Sequence, residues 1–398
     1  MKYRYQKHAS KYITVMATFP AGSMVEFGSE YPNGIAHLRE HMAFKTISGE
    51  AAKAFNDKVA RYGGMANAWT SESLCSYYIQ MPEDQVDMAL SCLFDLMCPT
   101  FPEEELDKER EVVKQEIRMY IDDLDTLVRE RMNQLVFKNY LSRNIAGTEE
   151  SVSSITRQNL VDFNKEFYKS SNMLLTLVAP KNYVGLVKKY FGSDDRFDVD
   201  YKNYYTGEIE YRPSKSAKVF KQDQQQDSIM ISFGSPTLHN TTKQLKPVHS
   251  VFNAIFGSGM NGRLFSSIRE DLGLVYGIGG YLDYDFGGTV YSIHTSTEPG
   301  NTKKAIKGIG KEIEKIVADG VTDDELEIAK NKIKGAVYSS LDTSMGAISE
   351  ILNGEIYGFD VGLGLIDKVN KVTVKDVNKL AQTIFSGNRY VVIGTGAK

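Results

Sequence analysis

Two histidines and a glutamate within five residues give the chain its clearest chemical signal. The sequence reads His37-Leu-Arg-Glu40-His41 in a stretch with the pattern of a helix. Residues four apart on a helix lie on one face, about one turn from each other, so His37 and His41 can direct their ring nitrogens at one ion. Glu40 follows His37 by three residues and projects near the same face, where it can take a proton from water without binding the metal. The spacing predicts a zinc site with Glu40 as general base.

A catalytic zinc site also needs a third protein ligand and an open position for water. The best source of that ligand is the acidic helix predicted from Pro102 to about Asp122. Glu109 and Glu116 lie seven residues apart on it, two helical turns along the same face. Because other acidic residues crowd positions 103–125, spacing alone narrows the ligand to this helix and not to one residue.

Other chemistry has less support in the sequence. The remaining histidines are scattered without metal-ligand spacing: His8, His239, His249 and His294. Of the three cysteines, Cys75, Cys92 and Cys98, none forms a Cys-x-x-Cys pair, so neither a disulfide scaffold nor a thiol nucleophile is predicted. The competing interpretation of the histidine pair is an ordinary solvated helix face.

Composition excludes several classes of function. The 398 residues include 51 acidic and 47 basic side chains, a formal charge of −4, so no excess of positive charge favours nucleic acid or an anionic membrane. No apolar run approaches the roughly 20 residues that span a bilayer, and the start lacks the apolar core of a signal peptide. We expect a cytoplasmic protein of two or more domains, with no nucleic-acid or membrane partner.

The order of predicted elements in the first half indicates a mixed α/β layer and not a parallel Rossmann sheet. A strand is predicted over Tyr12–Phe19, and helices from near Ile35 and over residues 50–62. One or two strands follow within residues 65–81, and further helices begin at Pro82 and Pro102.

The second half shows a similar order and reads as a divergent copy. After a predicted connection at residues 191–215, strand-like residues 218–235 precede a helix that opens at Gly257–Gly262 and runs through Arg269. Strands over residues 279–297 and helices over 302–319 and from Val321 complete the pattern.

An alignment of the two halves shows that the predicted metal ligands occur in the first half only. Laying helix 105–117 on 325–337 puts Glu116 opposite Ala336, and laying residues 34–41 on 257–264 leaves both histidines without a counterpart. The first copy is therefore predicted to carry the metal site alone.

Several segments resemble the pitrilysin family of inverted-zincin metallopeptidases, which includes insulin-degrading enzyme and mitochondrial processing peptidase. They lie in order along nearly the whole chain: Gly34–Lys45, Gly64–Thr70, the Glu-x6-Glu pair, Gly147–Ser151 and Gly259–Phe265. The length is that of short bacterial-type processing peptidases.

The resemblance implies an α+β fold of mixed α/β layers. It consists of two homologous domains, each a mostly antiparallel sheet with helices packed on one side. Residues 1–190 would form the zinc-binding catalytic domain, 191–215 the connecting segment, and 216–398 a degenerate homologous domain that contributes substrate and transition-state contacts.

The resemblance also assigns the metal ligands. The family's third ligand is the second glutamate of the pair, and Glu116 lies 75 residues beyond His41. One zinc ion per chain would thus be held by His37, His41 and Glu116, with Glu109 orienting a ligand.

Further residues match family positions that contact substrate. Arg269 and Tyr276 match an arginine and a tyrosine that help to hold substrate or the transition state, and Asn67-Ala68 matches an exposed edge strand that pairs with an extended peptide. In relatives of this length two chains enclose a chamber, so we expect a homodimer that cleaves short or unfolded peptides. The alternatives are a non-catalytic scaffold or peptide-binding subunit, and an active subunit that requires a different partner chain.

Overall fold

The chain folds into two compact units in a computed structural model, which describes residues 1–47, 50–192 and 209–396. Within the described residues, the first unit consists of Met1–Arg118, Asn144–Thr206 and Ser340–Leu352, and the second of Met119–Arg143, Gly207–Ser339 and Asn353–Lys398. Most of the predicted connection at residues 191–215 lies outside the described residues.

The first unit contains a five-stranded sheet and most of the helices of the first half. Its strands are β1 (Lys2–Lys7), β2 (Tyr12–Phe19), β5 (Met65–Thr70), β6 (Cys75–Pro82) and β7 (Leu174–Ala179), with a two-stranded ribbon of β3 (Thr46–Ile47) and β4 (Glu50–Ala51). Its helices are α1 (Ile35–Ala43), α2 (Ala52–Arg61), α3 (Val86–Met97), α4 (Glu103–Asp122), α6 (Glu149–Ser154), α7 (Arg157–Phe167), α8 (Val184–Phe191) and α13 (Ser344–Leu352).

The second unit contains another five-stranded sheet. Its strands are β8 (Lys215–Phe220), β9 (Asp227–Gly234), β10 (Val275–Asp285), β11 (Gly288–Thr297) and β12 (Asn388–Thr395). Its helices are α5 (Leu124–Val136), α9 (Pro236–Thr242), α10 (Lys246–Phe256), α11 (Thr302–Asp319), α12 (Asp323–Leu341), α14 (Gly362–Val369) and α15 (Val374–Phe385), with π-helical turns at Phe265–Asp271 and Asn353–Tyr357.

The two sheets have the same strand order. The first runs β1-β7-β2-β6-β5 and the second β8-β12-β9-β11-β10. In each, the first pair in this order is parallel and the other three pairs are antiparallel. The predicted α+β class with two mostly antiparallel sheets is therefore confirmed.

Each unit includes one helix from the other half of the sequence. Helix α5 lies in sequence between the segments Met1–Arg118 and Asn144–Thr206 of the first unit, yet it packs against β8, β9 and β12 of the second sheet. Helix α13 follows most of the second unit, yet it packs against β2 and β7 of the first sheet. The compact units thus differ from the contiguous blocks 1–190 and 216–398 by these two exchanged helices.

The two faces of the first sheet receive different helices. Ala17 and Tyr77 pair directly across β2 and β6 and so share a face, where Tyr77 accepts a hydrogen bond from Arg39 of α1. The neighbouring Thr14 faces the opposite way by strand alternation, and its hydroxyl donates to Ser344 of α13 (2.7 Å). Helix α13 thus lies on the face of the first sheet opposite to that of α1, so the helices of this unit do not all pack on one side as expected.

One detail of the internal alignment is wrong. Residues 257–262 form turns and bends, whereas the predicted helix through Arg269 is present: it begins at Arg263 and is π-helical over Phe265–Asp271. Gly259 interrupts helical geometry in these residues, since its φ of +74° lies in the left-handed region. Helices α9 and α10 lie between β9 and this segment, and only the last two of residues 257–264 are helical, so the segment does not match the helical residues 35–41.

The alignment of the long helices agrees with the structure. Helix α4 begins at Glu103 and α12 at Asp323, an offset of 220 (323 − 103) that also separates Glu116 from Ala336. Among the described residues, no helix is long and apolar enough to cross a membrane.

Candidate metal centre

Helix α1 is fixed to the core by residues adjacent to the predicted ligands. Leu38 and Met42, also four apart, are fully buried, and the helix packs against β5. This burial turns the neighbouring His37 and His41 toward the helix edge, where 12% and 20% of their side-chain surfaces remain exposed. Each imidazole therefore borders the hydrophobic core on one side and is accessible to solvent on the other.

Helix α4 presents the acidic ligand candidates in a similar way. Leu106, Val113 and Ile117 are buried at helical spacing, which places Glu109 and Glu116 on the flank of the apolar stripe. Glu109 is 3% exposed, whereas 26% of the Glu116 side chain remains accessible. The two carboxylates therefore meet the α1 histidines at different depths.

The donor atoms of His37, His41 and Glu116 converge on one point. Nε2 of His41 lies 3.3 Å from Nε2 of His37 and 3.4 Å from Oε2 of Glu116. Oε2 of Glu116 lies 3.8 Å from Nε2 of His37. Among the described residues, these three form the only group of ligand side chains close enough together to share an ion.

These separations fit zinc. Zinc bonds imidazole nitrogen and carboxylate oxygen at about 2.0–2.2 Å in tetrahedral sites, which places neighbouring ligand atoms roughly 3.3–3.6 Å apart. The observed distances are 3.3, 3.4 and 3.8 Å. Only the longest, between His37 and Glu116, must shorten slightly to reach this range.

A carboxylate and a lysine fix the orientation of His41. Nδ1 of His41 lies 2.9 Å from Oε1 of Glu109, whose other oxygen lies 2.7 Å from Nζ of Lys45. Burial raises the pKa of Glu109, but the hydrogen bonds from His41 and Lys45 outweigh it and leave the pKa below its usual value. An ionised carboxylate only accepts, so Nδ1 donates, and Nε2 can present its lone pair to the shared point once its own proton is displaced.

The pKa values of the two histidines are shifted in opposite directions. Burial, followed by the neighbouring His41, lowers the pKa of His37 to about 4, so this ring is neutral at pH 7. Burial also lowers the pKa of His41, but hydrogen bonds to Glu109 and Glu116 outweigh it and raise the pKa to about 9. A metal ion that binds here must displace the His41 proton.

Glu40 is held beside these groups by a residue of the edge strand. Its Oε2 accepts a hydrogen bond from the hydroxyl of Thr70, at the end of β5 (2.7 Å). Burial raises the pKa of Glu40, and the Thr70 hydrogen bond and His41 oppose that shift. A carboxylate whose pKa is shifted toward neutrality is suited to accept and return a proton.

Arg39 anchors the opposite side of α1. It is fully buried and donates from Nη1 to the hydroxyl of Tyr77 (2.6 Å) and from Nε and Nη2 to Oδ1 of Asn164 (3.1 and 2.7 Å). Its Cζ lies 3.5 Å from the centroid of the Tyr168 ring, a cation–π contact. Arg39, between the two predicted ligand histidines, thus fixes the helix to β6 and α7.

Sequence reasoning missed Thr70, Lys45 and Arg39 as parts of the site. Lys45 and Thr70 each lie within a segment that resembles the family, but nothing in their local pattern indicates that they contact Glu109 and Glu40. Arg39 stands inside the motif itself, where a charged residue on a helix is ordinarily solvated.

The predicted substrate residues lie in both units. Asn67 and Ala68 belong to β5, the last strand in the order of the first sheet. The side chain of Asn67 folds back on its own strand, where Oδ1 accepts a hydrogen bond from the Ala68 N–H (2.8 Å). The nearby Trp69 packs on Tyr78, with ring centroids 5.9 Å apart.

Arg269 and Tyr276 lie together in the second unit. Cζ of Arg269 lies 5.1 Å from the centroid of the Tyr276 ring, and Tyr276 is 85% exposed. A tyrosine this exposed gains little from packing, so the pair presents a cation and a phenol at the surface of its unit.

Two family models match the chain in sequence order. The model described as Insulinase (Peptidase family M16) matches residues 5–149, a span that contains His37, Glu40, His41 and Glu116. The model described as Peptidase M16 inactive domain matches residues 154–333.

Known proteins resemble the chain over most of its length. The uncharacterized zinc protease YmxG of Bacillus subtilis is 30% identical over 367 residues, 89% of this chain and 86% of that protein. The uncharacterized zinc protease ML0855 of Mycobacterium leprae is 27% identical over 366 residues, 89% of this chain and 80% of that protein.

Solved structures share the fold. A protease from Helicobacter pylori superposes with a TM-score of 0.86 at 20% identity, covering 98% of this chain and 96% of that one. The structure titled peptidase M16 inactive domain, from Pseudomonas fluorescens, gives a TM-score of 0.86 at 16% identity, covering 100% and 95%.

Proposed function

This chain belongs to peptidase family M16, and from that premise we propose that it is a zinc-dependent endopeptidase. The observation that carries the proposal is the convergence of donor atoms from His37, His41 and Glu116, all within 4.8 Å of one another, next to Glu40. The names of relatives as zinc proteases support the same metal.

The proposed chemistry divides between the metal and the protein. A zinc ion held by the three ligands supplies a Lewis acid that polarises the peptide carbonyl and acidifies water. Glu40 accepts the proton of the attacking water and then gives it to the leaving amine. Thr70 keeps the Glu40 carboxylate in place through its 2.7 Å hydrogen bond. Glu109 and Lys45 keep His41 in the tautomer that leaves Nε2 free.

Substrate contacts are proposed for the four remaining predicted residues. Edge strand β5, through Asn67 and Ala68, would pair its backbone with an extended peptide. Arg269 and Tyr276 would steady the developing oxyanion, for which a partly exposed guanidinium and an exposed phenol supply hydrogen-bond donors.

We further propose a homodimer that encloses a chamber and admits short or unfolded peptides. This part of the proposal follows from the family resemblance, in which the arginine and tyrosine of one chain act at the partner's zinc. An extended substrate is also what strand pairing at β5 requires, because a folded protein cannot offer a free backbone edge there.

The proposal is tested by digestion of a peptide library with zinc-loaded protein, read by mass spectrometry. Native protein should cleave internal peptide bonds. Glu40→Gln should keep its zinc and lose about 10²- to 10⁴-fold in kcat, the usual contribution of a general base. The matched control is Glu111→Gln, an exposed glutamate of α4 paired with Lys114 (2.7 Å), which should cleave as the native chain does.

Native protein that holds zinc but cleaves no peptide would favour the scaffold interpretation. Activity that appears only after addition of a different family member would favour the subunit of a heteromer. Glu40→Gln with native activity would refute the role assigned to Glu40.

A further inference from the structure

The N-terminal end of the ligand helix α1 is held by a carboxylate from outside the helix. Glu26, 1% exposed, accepts hydrogen bonds from the backbone N–H of Gly34 and from that of Ala36, both at 2.9 Å. Its Oε2 also accepts from Nδ2 of Asn33 (2.8 Å). Both carboxylate oxygens therefore bind the first turn or the residue just before it.

Helix α1 has no means of supplying this cap itself. The first N–H groups of a helix have no partner within it, and a Ser, Thr, Asp or Asn at the N-cap usually accepts from them. The N-cap here is Gly34, with φ +94°, and a Cβ at this position would lie 2.5 Å from the carbonyl oxygen of Ala146. Conformation and space both exclude a capping side chain, so the acceptor must come from elsewhere in the fold.

The two ligand histidines are positioned by different means. His41 is oriented through its Nδ1, which contacts Glu109 at 2.9 Å. Within the described part of the chain, Nδ1 of His37 is buried and has no hydrogen-bond partner. His37 is the third residue of α1, so its position follows the backbone of the first turn, the turn that Glu26 holds.

We propose that Glu26 is a positioning residue for the metal site, which fixes His37 by capping the first turn of α1. The inference rests on the proposed zinc function. Glu26 reaches the first turn through the backbone N–H groups of Gly34 and Ala36, so it acts on His37 through the helix backbone. Its negative charge at a helix N-terminus adds a favourable interaction with the helix dipole.

The test compares Glu26→Ala and Glu26→Gln with native protein in two measurements. Hydrogen exchange of residues 34–38 in chelator-treated protein reports the cap without metal. Competition with a chromophoric chelator gives the zinc dissociation constant. We expect faster exchange and an approximately 10- to 100-fold weaker affinity for Glu26→Ala, the range for residues that orient ligands. Glu26→Gln keeps one acceptor oxygen and should fall between this variant and native protein.

The matched control is Thr373→Ala, which removes the N-cap of α15 in the second unit. The Thr373 hydroxyl accepts from the backbone N–H of Asp376, so this variant also loses a cap but at a helix without ligands. It should lower the melting temperature and leave the zinc affinity unchanged. This control separates positioning from a general loss of stability.

Faster exchange in either Glu26 variant with native zinc affinity would overturn the inference and leave the proposed function intact. Should Glu26→Ala fail to fold, Glu26→Gln alone decides by the same criterion. Native protein that binds no zinc would overturn the proposed function and this inference with it.

Discussion

The two units repeat one sheet and differ in what they place beside it. Both sheets have the same strand order and the same pattern of one parallel and three antiparallel pairs. In the first unit, the helices after β2 and β6 bring imidazole and carboxylate groups to a single point. In the second unit, no described group of metal-binding side chains meets in this way.

Helix α10 of the second unit shows how small the chemical difference is. It carries His249 and Asn253 at the same four-residue spacing as His37 and His41. His249 is 3% exposed, and burial lowers its pKa to about 3, so it is a neutral core residue. Asn253 accepts a hydrogen bond from Tyr291 (3.0 Å). A histidine on a helix after the second strand is therefore not sufficient for a metal site.

The repeated sheet therefore does not by itself determine whether a unit can bind a metal ion. Two further conditions distinguish the first unit: partial exposure of the histidines, and an acidic flank on the long helix. Ala336, at the position in α12 that matches Glu116 in α4, cannot bind a metal. Function resides in a few side chains placed on a common fold.

The largest expected effect comes from removing a direct ligand. His41→Ala should weaken zinc binding by more than the roughly 100-fold upper limit for residues that only orient ligands. The reason is that only two protein ligands would remain. Zinc content after dialysis, measured by mass spectrometry of the metal, checks this. The control His249→Ala removes the histidine of α10 and should leave the zinc content of folded protein unchanged. Loss of zinc from this variant would contradict the claim that only the first unit holds the metal.

A smaller loss is expected when the partner of His41 is changed. Glu109→Gln removes the charge that fixes the His41 tautomer, so zinc affinity should fall about 10- to 100-fold. Chelator competition measures it. Glu325→Gln in the second unit is the control, because Glu325 also pairs with a cation, Arg263 at 2.6 Å, but near no ligand. Equal zinc affinity in the two variants would contradict the role of Glu109.

The smallest expected effect is a difference in the free energy of unfolding between two tyrosine substitutions, one in the core of each unit. Tyr77→Phe removes the acceptor of the buried Arg39 and should cost about 1.5–3 kcal/mol in free energy of unfolding, the range for hydrogen bonds to charged groups. Tyr291→Phe leaves only the neutral Asn253 without its donor and should cost about 0.5–1.5 kcal/mol. Denaturant unfolding compares them, and a larger loss for Tyr291→Phe would reverse the predicted order.

Local pattern predicts some elements of this protein well. Strand β2 and helix α11 have the bounds that alternation and helical periodicity predict, Tyr12–Phe19 and Thr302–Asp319. The convergence of His37, His41 and Glu116 also agrees with expectation, although the choice of Glu116 over Glu109 required the family resemblance. Spacing alone left that choice open because both lie on one helical face.

Long-range contacts explain what the sequence did not reveal. Nothing local in α5 or α13 indicates which sheet it covers, so their exchange between the halves is invisible before folding. The same holds for Thr70, which reaches Glu40 across 30 residues, and for Asn164, which reaches Arg39 across 125. The glycine-rich loop at 257–262 resembled a helix start because glycine also precedes α1.

Anomalous diffraction at the zinc edge, on crystals of the zinc-loaded chain, tests the central claim most directly. We expect one zinc peak per chain, bonded to Nε2 of His37 and His41 at about 2.0–2.1 Å and to a Glu116 oxygen at about 2.0–2.2 Å. A zinc peak elsewhere in the chain, or one that lacks the Glu116 carboxylate as a ligand, would contradict it.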